Sequence, residues 1–124
     1  KTVVLVSGDE RERTRLGDAL AANGYRVVAA SLAELPRYAQ EMATAAVFVD
    51  LRDGQTATDA PSVVAHLTRD PLTKEVPFFA VVGGSVERER LIDDGVYTAA
   101  FVAPADIALV TSALGAAIIR RNTR

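Results

Sequence analysis

Five short apolar runs, each followed by a stretch of helical character, set the strongest limit on what this chain can fold into. The runs are Val3–Val6, Arg26–Ala30, Ala45–Val49, Phe78–Val82 and Ala99–Val102. Three of them are almost continuously apolar, as expected of strands buried on both faces of a sheet. Strands that alternate with helices build βαβ units, and those units require a parallel sheet.

The intervening segments carry helical periodicity and punctuation. A first helix is expected over about Glu10–Asn23, with Leu16, Ala19, Leu20 and Asn23 on one stripe. Asp9 and Glu12 have the spacing of a capping box, and Asn23-Gly24 suits a left-handed helix end. A second helix falls within Leu32–Ala43, with Leu35, Tyr38, Ala39 and Met42 inward and Pro36 near its start. A third is expected over about Pro61–Thr68, with Pro61 in its first turn and Val63, Val64 and Leu67 buried. A fourth covers about Val86–Asp93 and is closed by Asp94-Gly95. The fifth runs from about Ala105 to Ile119 on an apolar face of Ile107, Val110, Leu114, Ala117 and Ile118.

Five βα units in 124 residues point to an α/β fold. The specific expectation is a flavodoxin-like doubly wound sheet of five parallel strands, order 2-1-3-4-5, with five helices. The whole of 1–124 reads as a single domain, and a chain that begins at Lys1 reads as a fragment of a longer one.

Composition removes several classes of chemistry. There is no cysteine, so disulfides and thiolate chemistry are excluded, and His66 is the sole histidine, so no histidine cluster can hold a metal. No apolar run reaches the roughly 18 residues of a membrane span, and a cytoplasmic location is expected. The formal charge of -2 leaves no footprint for nucleic acid. Arg120, Arg121 and Arg124 form a solvated basic helix end, where cations suit the helix dipole.

In doubly wound sheets, sites lie beyond the carboxyl ends of the strands. The segments to inspect are Ser7–Asp9, Asp50–Gly54, Val82–Ser85 and Ala103–Asp106. The first is neither G-x-G-x-x-G nor a P-loop, which removes the main support for dinucleotide or nucleoside triphosphate binding. Asp50 directly follows a buried strand, where a carboxylate is costly unless it reaches the surface or finds a partner. It is either an exposed nucleophile or metal ligand, or a helix cap or loop carboxylate. The Ala103-Pro104 bond is open to either isomer.

The order and spacing of Val47-Phe48-Val49-Asp50-Leu51, of Asp70-Pro71 through Val76-Pro77, and of Pro104 resemble the receiver domain of two-component response regulators, over about Val3–Ile119. That resemblance implies that Asp50 stands at the phosphoacceptor position. It places the family's Mg²⁺-holding acid pair at Ser7 and Gly8, its hydroxyl residue at Val82 and its lysine at Ala103. Of these site residues only the aspartate remains. Phosphoryl transfer depends on positioning and charge stabilisation, and Mg²⁺ prefers sites with one or two carboxylates.

The resemblance therefore implies an atypical pseudo-receiver, not an enzyme, working by protein–protein interaction without a cofactor and with poor Mg²⁺ binding. The alternatives are a working phosphoacceptor served by a histidine kinase on Asp50, and a flavodoxin-like domain for a small ligand. Arg52 is either the partner of Asp50 in the former metal position or a solvated loop charge. Asp9 reads as a helix cap and His66 as a surface residue. The expected working surface, for a protein partner or a second copy, is helix four, strand five and helix five.

Overall fold

The structure, a computed structural model, describes residues 1–41 and 43–122. Met42, expected inward, and Arg124, expected in the basic helix end, lie outside the described residues. The elements alternate as β1 (Thr2–Val6), α1 (Glu10–Ala22), β2 (Arg26–Ala29), α2 (Leu35–Glu41), β3 (Thr44–Asp50), α3 (Gly54–Arg69), β4 (Phe78–Val82), α4 (Ser85–Asp94), β5 (Ala99–Val102) and α5 (Ile107–Asn122). The strands form one sheet in the order β2-β1-β3-β4-β5, every pair parallel. This is the doubly wound α/β architecture expected from the alternation of runs.

Strand geometry divides the core. Successive side chains point to opposite faces, so Val3, Leu5, Phe48 and Phe79 pack with Leu16, Leu20 and Leu114 of α1 and α5. Val4, Val6, Val47 and Val49 pack with Leu35, Ala39, Val64 and Leu67 of α2 and α3. On the first face Phe48 stacks on Phe79 with ring centroids 4.9 Å apart, and Phe101 of β5 extends the stack at 6.2 Å from Phe79. The central strands β3 and β4 are buried along their whole length, so the end of β3 is a place where a polar group needs local partners.

Three helix expectations need correction. Helix α3 starts at Gly54, not near Pro61, because the Asp53 carboxylate accepts the Thr56 N–H at 3.1 Å and caps it early. Pro61 stands inside the helix. Ala57 and Pro61 are both exposed, so the helical bond that proline removes lies on the solvent side, while Ala60, Val64 and Leu67 hold the buried face. Val63 is half-buried.

Asp9 caps α1 as expected, through Arg11 and Glu12 N–H groups, but Glu12 does not complete the box. The reciprocal box sits instead at Ser31 and Glu34: the Glu34 carboxylate accepts Ser31 N–H at 2.9 Å, and Ser31 Oγ accepts Glu34 N–H at 3.2 Å. Asn23 is exposed instead of lying on the apolar stripe, its side-chain amide donating to the Ala19 carbonyl.

The other helix ends follow their punctuation. Gly24 and Gly95 take the left-handed values φ 89° and 71° that favour glycine. Asp106 Oδ1 accepts the Ala108 N–H at 2.9 Å, which starts α5 at Ile107. Among the described residues no helix is long and apolar enough to cross a membrane.

Candidate functional site

Asp50 ends β3 with its chain neighbours Val49 and Leu51 pointing the opposite way, and only 3% of its surface is exposed. Its carboxylate is buried, not exposed at the surface. A buried carboxylate needs donors on both oxygens, and Asp50 has them. Ser7 Oγ, from the turn after β1, donates to Oδ2 at 2.9 Å. Arg52 supplies the rest. Its backbone N–H donates to Oδ1 at 3.1 Å, its Nε to Oδ1 at 3.0 Å and its Nη2 to Oδ2 at 2.7 Å. The two guanidinium bonds form a parallel fork, the strongest geometry available to an arginine and a carboxylate.

Arg52 also ties this pair to α1. Its Nη2 donates to Asp9 Oδ2 at 3.1 Å, while Asp9 Oδ1 accepts the Arg11 and Glu12 N–H groups of the first helical turn. One carboxylate thus caps the helix with one oxygen and holds Arg52 with the other. Of the two readings of Arg52, its placement is the internal one: the guanidinium lies between Asp9 and Asp50 in the cleft at the sheet's carboxyl edge. The Arg52 side chain is 28% exposed and that of Asp50 is 4% exposed, so the pair is open on the arginine side.

The electrostatics follow from the contacts. Burial alone would raise the Asp50 carboxyl, but the Arg52 side chain, the Arg52 N–H and the Ser7 hydroxyl together hold it below the ordinary carboxylate range. Asp9 is likewise lowered, first by the Glu12 N–H. Asp50 in turn raises the Arg52 guanidinium, which stays charged.

The pH consequence has a definite sign. A folded pKa below the unfolded value gives stability that is present above the ordinary value near 3.8 and lost as pH falls through the depressed one. Urea midpoints of the wild type should therefore drop more steeply below about pH 4 than those of Asp50→Asn. Parallel curves for the two proteins would show that Asp50 does not carry this dependence.

The remaining positions complete the cleft without adding charge. Gly8 is exposed, and a β-carbon there would meet nothing within 4 Å. Val82 ends β4 buried, and its carbonyl accepts the Ala103 N–H at 2.9 Å, so the two positions are neighbours. Ala103 lines the cleft with Asp9 and Arg52, whereas Val82 faces a separate one toward α4. The Ala103-Pro104 bond is cis. His66 is far from this edge, 71% exposed on α3 with Nε2 3.9 Å from Asp70 Oδ2. Among the described residues no group of three or more acidic or histidine side chains converges as a metal site.

Sequence reasoning missed Glu12. It is 5% exposed, and its Oε2 accepts the Ala105 N–H at 3.1 Å while Oε1 accepts Arg15 Nε at 2.8 Å. Arg15 Nη2 then donates to the Ala105 carbonyl at 2.6 Å. Both backbone groups of one residue in the β5–α5 loop are thus held by one ion pair on α1. The signal present in the sequence, an acid three residues after Asp9, was equally compatible with a cap.

No protein-family model matches the chain, and no characterised protein matches it in sequence. Solved structures do match in fold. A sensor protein from Polaromonas shares 20% identity at a TM-score of 0.83, with 97% of each chain covered. The receiver domain of a sensor histidine kinase from Pseudomonas aeruginosa, solved with magnesium in its active-site cleft, shares 19% at 0.80 over 95% of this chain and 97% of that one. The signal receiver domain of an HD domain-containing protein from Pseudomonas fluorescens shares 17% at 0.80 over 99% and 98%. At these identities the likeness establishes the architecture: the chain has the five-stranded α/β fold of response regulator receiver domains.

Proposed function

We propose that this chain is a receiver-like signalling module of the pseudo-receiver type, in which an internal counter-ion holds the phosphoacceptor position and function lies in contact with another protein or a second copy. The observation that carries the reading is the Arg52 fork on Asp50. A guanidinium there supplies the positive charge that a metal would bring, and it covers both carboxylate oxygens. Ser7 and Gly8 offer no carboxylate, and Asp9 is engaged by the α1 terminus and by Arg52. This donor set does not suit Mg²⁺, which prefers octahedral oxygen ligands including carboxylates. Val82 and Ala103 offer neither a hydroxyl nor an ammonium group to a phosphoryl oxygen. No reaction of its own, no cofactor and no nucleic acid or membrane contact is proposed for this domain.

The test combines mass spectrometry and metal titration. Incubation with acetyl phosphate and millimolar Mg²⁺ is expected to leave the intact mass unchanged, and calorimetry is expected to find no saturable Mg²⁺ site. A phosphorylated species that Asp50→Asn abolishes would overturn the reading. It would favour the second one, a working phosphoacceptor on Asp50 served by a histidine kinase. One observation supports that alternative: Asp9 and Asp50 share a single guanidinium, so displacing Arg52 would leave two carboxylates facing the same space.

The contact surface is narrower than the sequence suggests. Of the small residues around β5, Ala100 and Ala105 are buried and Ala99 and Ala103 half-buried, so they serve the core. Arg88 is not a free surface charge, since its Nε donates to the Ala100 carbonyl at 2.8 Å and anchors α4 to β5. What remains open is a shallow groove along β5 and α5 lined by Phe101, Val102, Leu109 and Ala113. Leu109, 61% exposed, is more open to solvent than Val102 at 36%. Leu109→Glu is expected to abolish any self-association or partner binding seen by light scattering or pull-down, with the fold unchanged. Retained association in Leu109→Glu, together with its loss on altering Arg52, would move the function back to the Asp50 cleft.

A further inference from the structure

Helix α4 buries none of its residues. It is tied down on the β5 side, through Arg88, and stands away from α3 on the other. Between α3 and α4 this leaves a cavity of about 290 Å³. Its walls are apolar, made by Leu51, Val64, Val82 and Leu91. Two residues that carry donors, Arg90 and Tyr97, line it as well. Arg90 and the Tyr97 hydroxyl make no side-chain hydrogen bond or ion pair among the described residues. Burial pushes the Tyr97 phenol up to about 12, so the hydroxyl keeps its proton and remains a donor at neutral pH.

An apolar cavity with a few converging polar groups is the general form of a small-molecule site. Its volume lies near the lower end of the usual range of roughly 300–1,000 Å³. It is about twice the roughly 150 Å³ of an engineered cavity that takes benzene in another protein. The ligand body is therefore about one ring or a short alkyl chain. The polar lining sets the head group. A cation and a neutral donor match a carboxylate. Two acids also line the cleft and restrict the charge. Glu87 is folded back on the amino end of α4, where a β-carbon on Gly84 would meet its carboxylate at 2.7 Å, and Asp94 stands in the last turn. Their field opposes a dianion such as a phosphate monoester.

We propose that the α3–α4 cleft binds a small monoanion, an apolar body of about one ring or a short chain carrying a single carboxylate that meets Arg90 and the Tyr97 hydroxyl. The site is separate from the Asp9–Arg52–Asp50 cleft and does not depend on whether Asp50 is ever phosphorylated.

Amide NMR titration of the whole chain tests this with three probes that share one body: 3-phenylpropionate, 3-phenylpropanol and 3-phenylpropylamine. The acid is expected to give saturable shifts confined to α3, α4 and Tyr97, with the alcohol weaker and the amine weakest. Arg90→Gln should weaken the acid about fivefold, the upper end for one exposed charge pair, and leave the alcohol unchanged. Ala57→Trp, at an exposed position of the α3 wall, should block acid and alcohol alike without disturbing the fold. The proposal fails if the amine binds as well as the acid, if Arg90→Gln leaves the acid's affinity unaltered, or if the shifts lie elsewhere on the domain.

Discussion

Arg52→Ala is expected to cost about 2–3 kcal/mol of folding stability, clearly more than Asp50→Ala. The asymmetry follows from exposure. Removing the arginine leaves a carboxylate that is 4% exposed with only Ser7 and one backbone N–H as donors. Breaking a buried pair from that side strands an uncompensated charge, at about 3–5 kcal/mol when both partners are buried. The figure is reduced here because the arginine side of the pair is open and water can enter the space it leaves. Removing the aspartate is milder, about 1 kcal/mol, because Arg52 is 28% exposed and is free to turn toward solvent or toward Asp9. Urea unfolding at pH 7 of both single variants and the double variant measures the difference. The double variant should lie near Asp50→Ala, since the stranded charge is gone. A loss within about 0.5 kcal/mol for Arg52→Ala would be that of an ordinary surface change and would show that Arg52 is not an internal counter-ion of Asp50.

Glu12→Ala is expected to cost about 2 kcal/mol, a large effect for one acid on a helix. Ala105 is 1% exposed, so its N–H has no access to water once the Glu12 oxygen is gone. A buried donor left without an acceptor costs about 1–3 kcal/mol. Arg15 loses its carboxylate as well, but its side chain is 38% exposed and can be solvated, so that part is small. Glu12→Gln should lose about half as much as Glu12→Ala, because the amide oxygen can still accept from Ala105 while the charge is lost. Thermal unfolding ranks the variants, and amide exchange at Ala105 locates the effect. Exchange at Ala105 unchanged in Glu12→Ala would show that the ion pair does not hold the β5–α5 loop.

Both variants act on the same edge of the sheet, and their outcomes separate cleanly. Arg52 closes the cleft from the β3 side, whereas Glu12 and Arg15 fix the loop that carries Ala103 and Pro104. A change in partner binding on breaking the Glu12 stitch, with none on breaking the Arg52 fork, would favour the β5–α5 groove as the working surface.

Much of the architecture was legible in the residues because it depends on local pattern. Runs such as Val3–Val6 and Phe78–Val82 are too short for helices and too apolar for surface strands. Asn23-Gly24 and Asp94-Gly95 mark helix ends because glycine accepts φ values of 89° and 71° that other residues avoid. Where two local signals competed, sequence alone chose wrongly. Pro61 was read as a helix start, although Asp53, eight residues earlier, had already capped the segment.

The sequence by itself determined the alternation of elements, hence a parallel sheet, and it placed Asp50, Ser7, Gly8, Val82 and Ala103 at the carboxyl edge of that sheet. Only the tertiary structure decided what the loops do to one another. Asp9 and Asp50 are 41 positions apart and Glu12 and Ala105 are 93 apart, and no local rule relates residues so distant. Whether Arg52 points into the cleft or into water depends on competing acceptors brought there by β1 and α1. Once β3 is buried, its terminal carboxylate needs a partner, and Arg52, two residues away, supplies it.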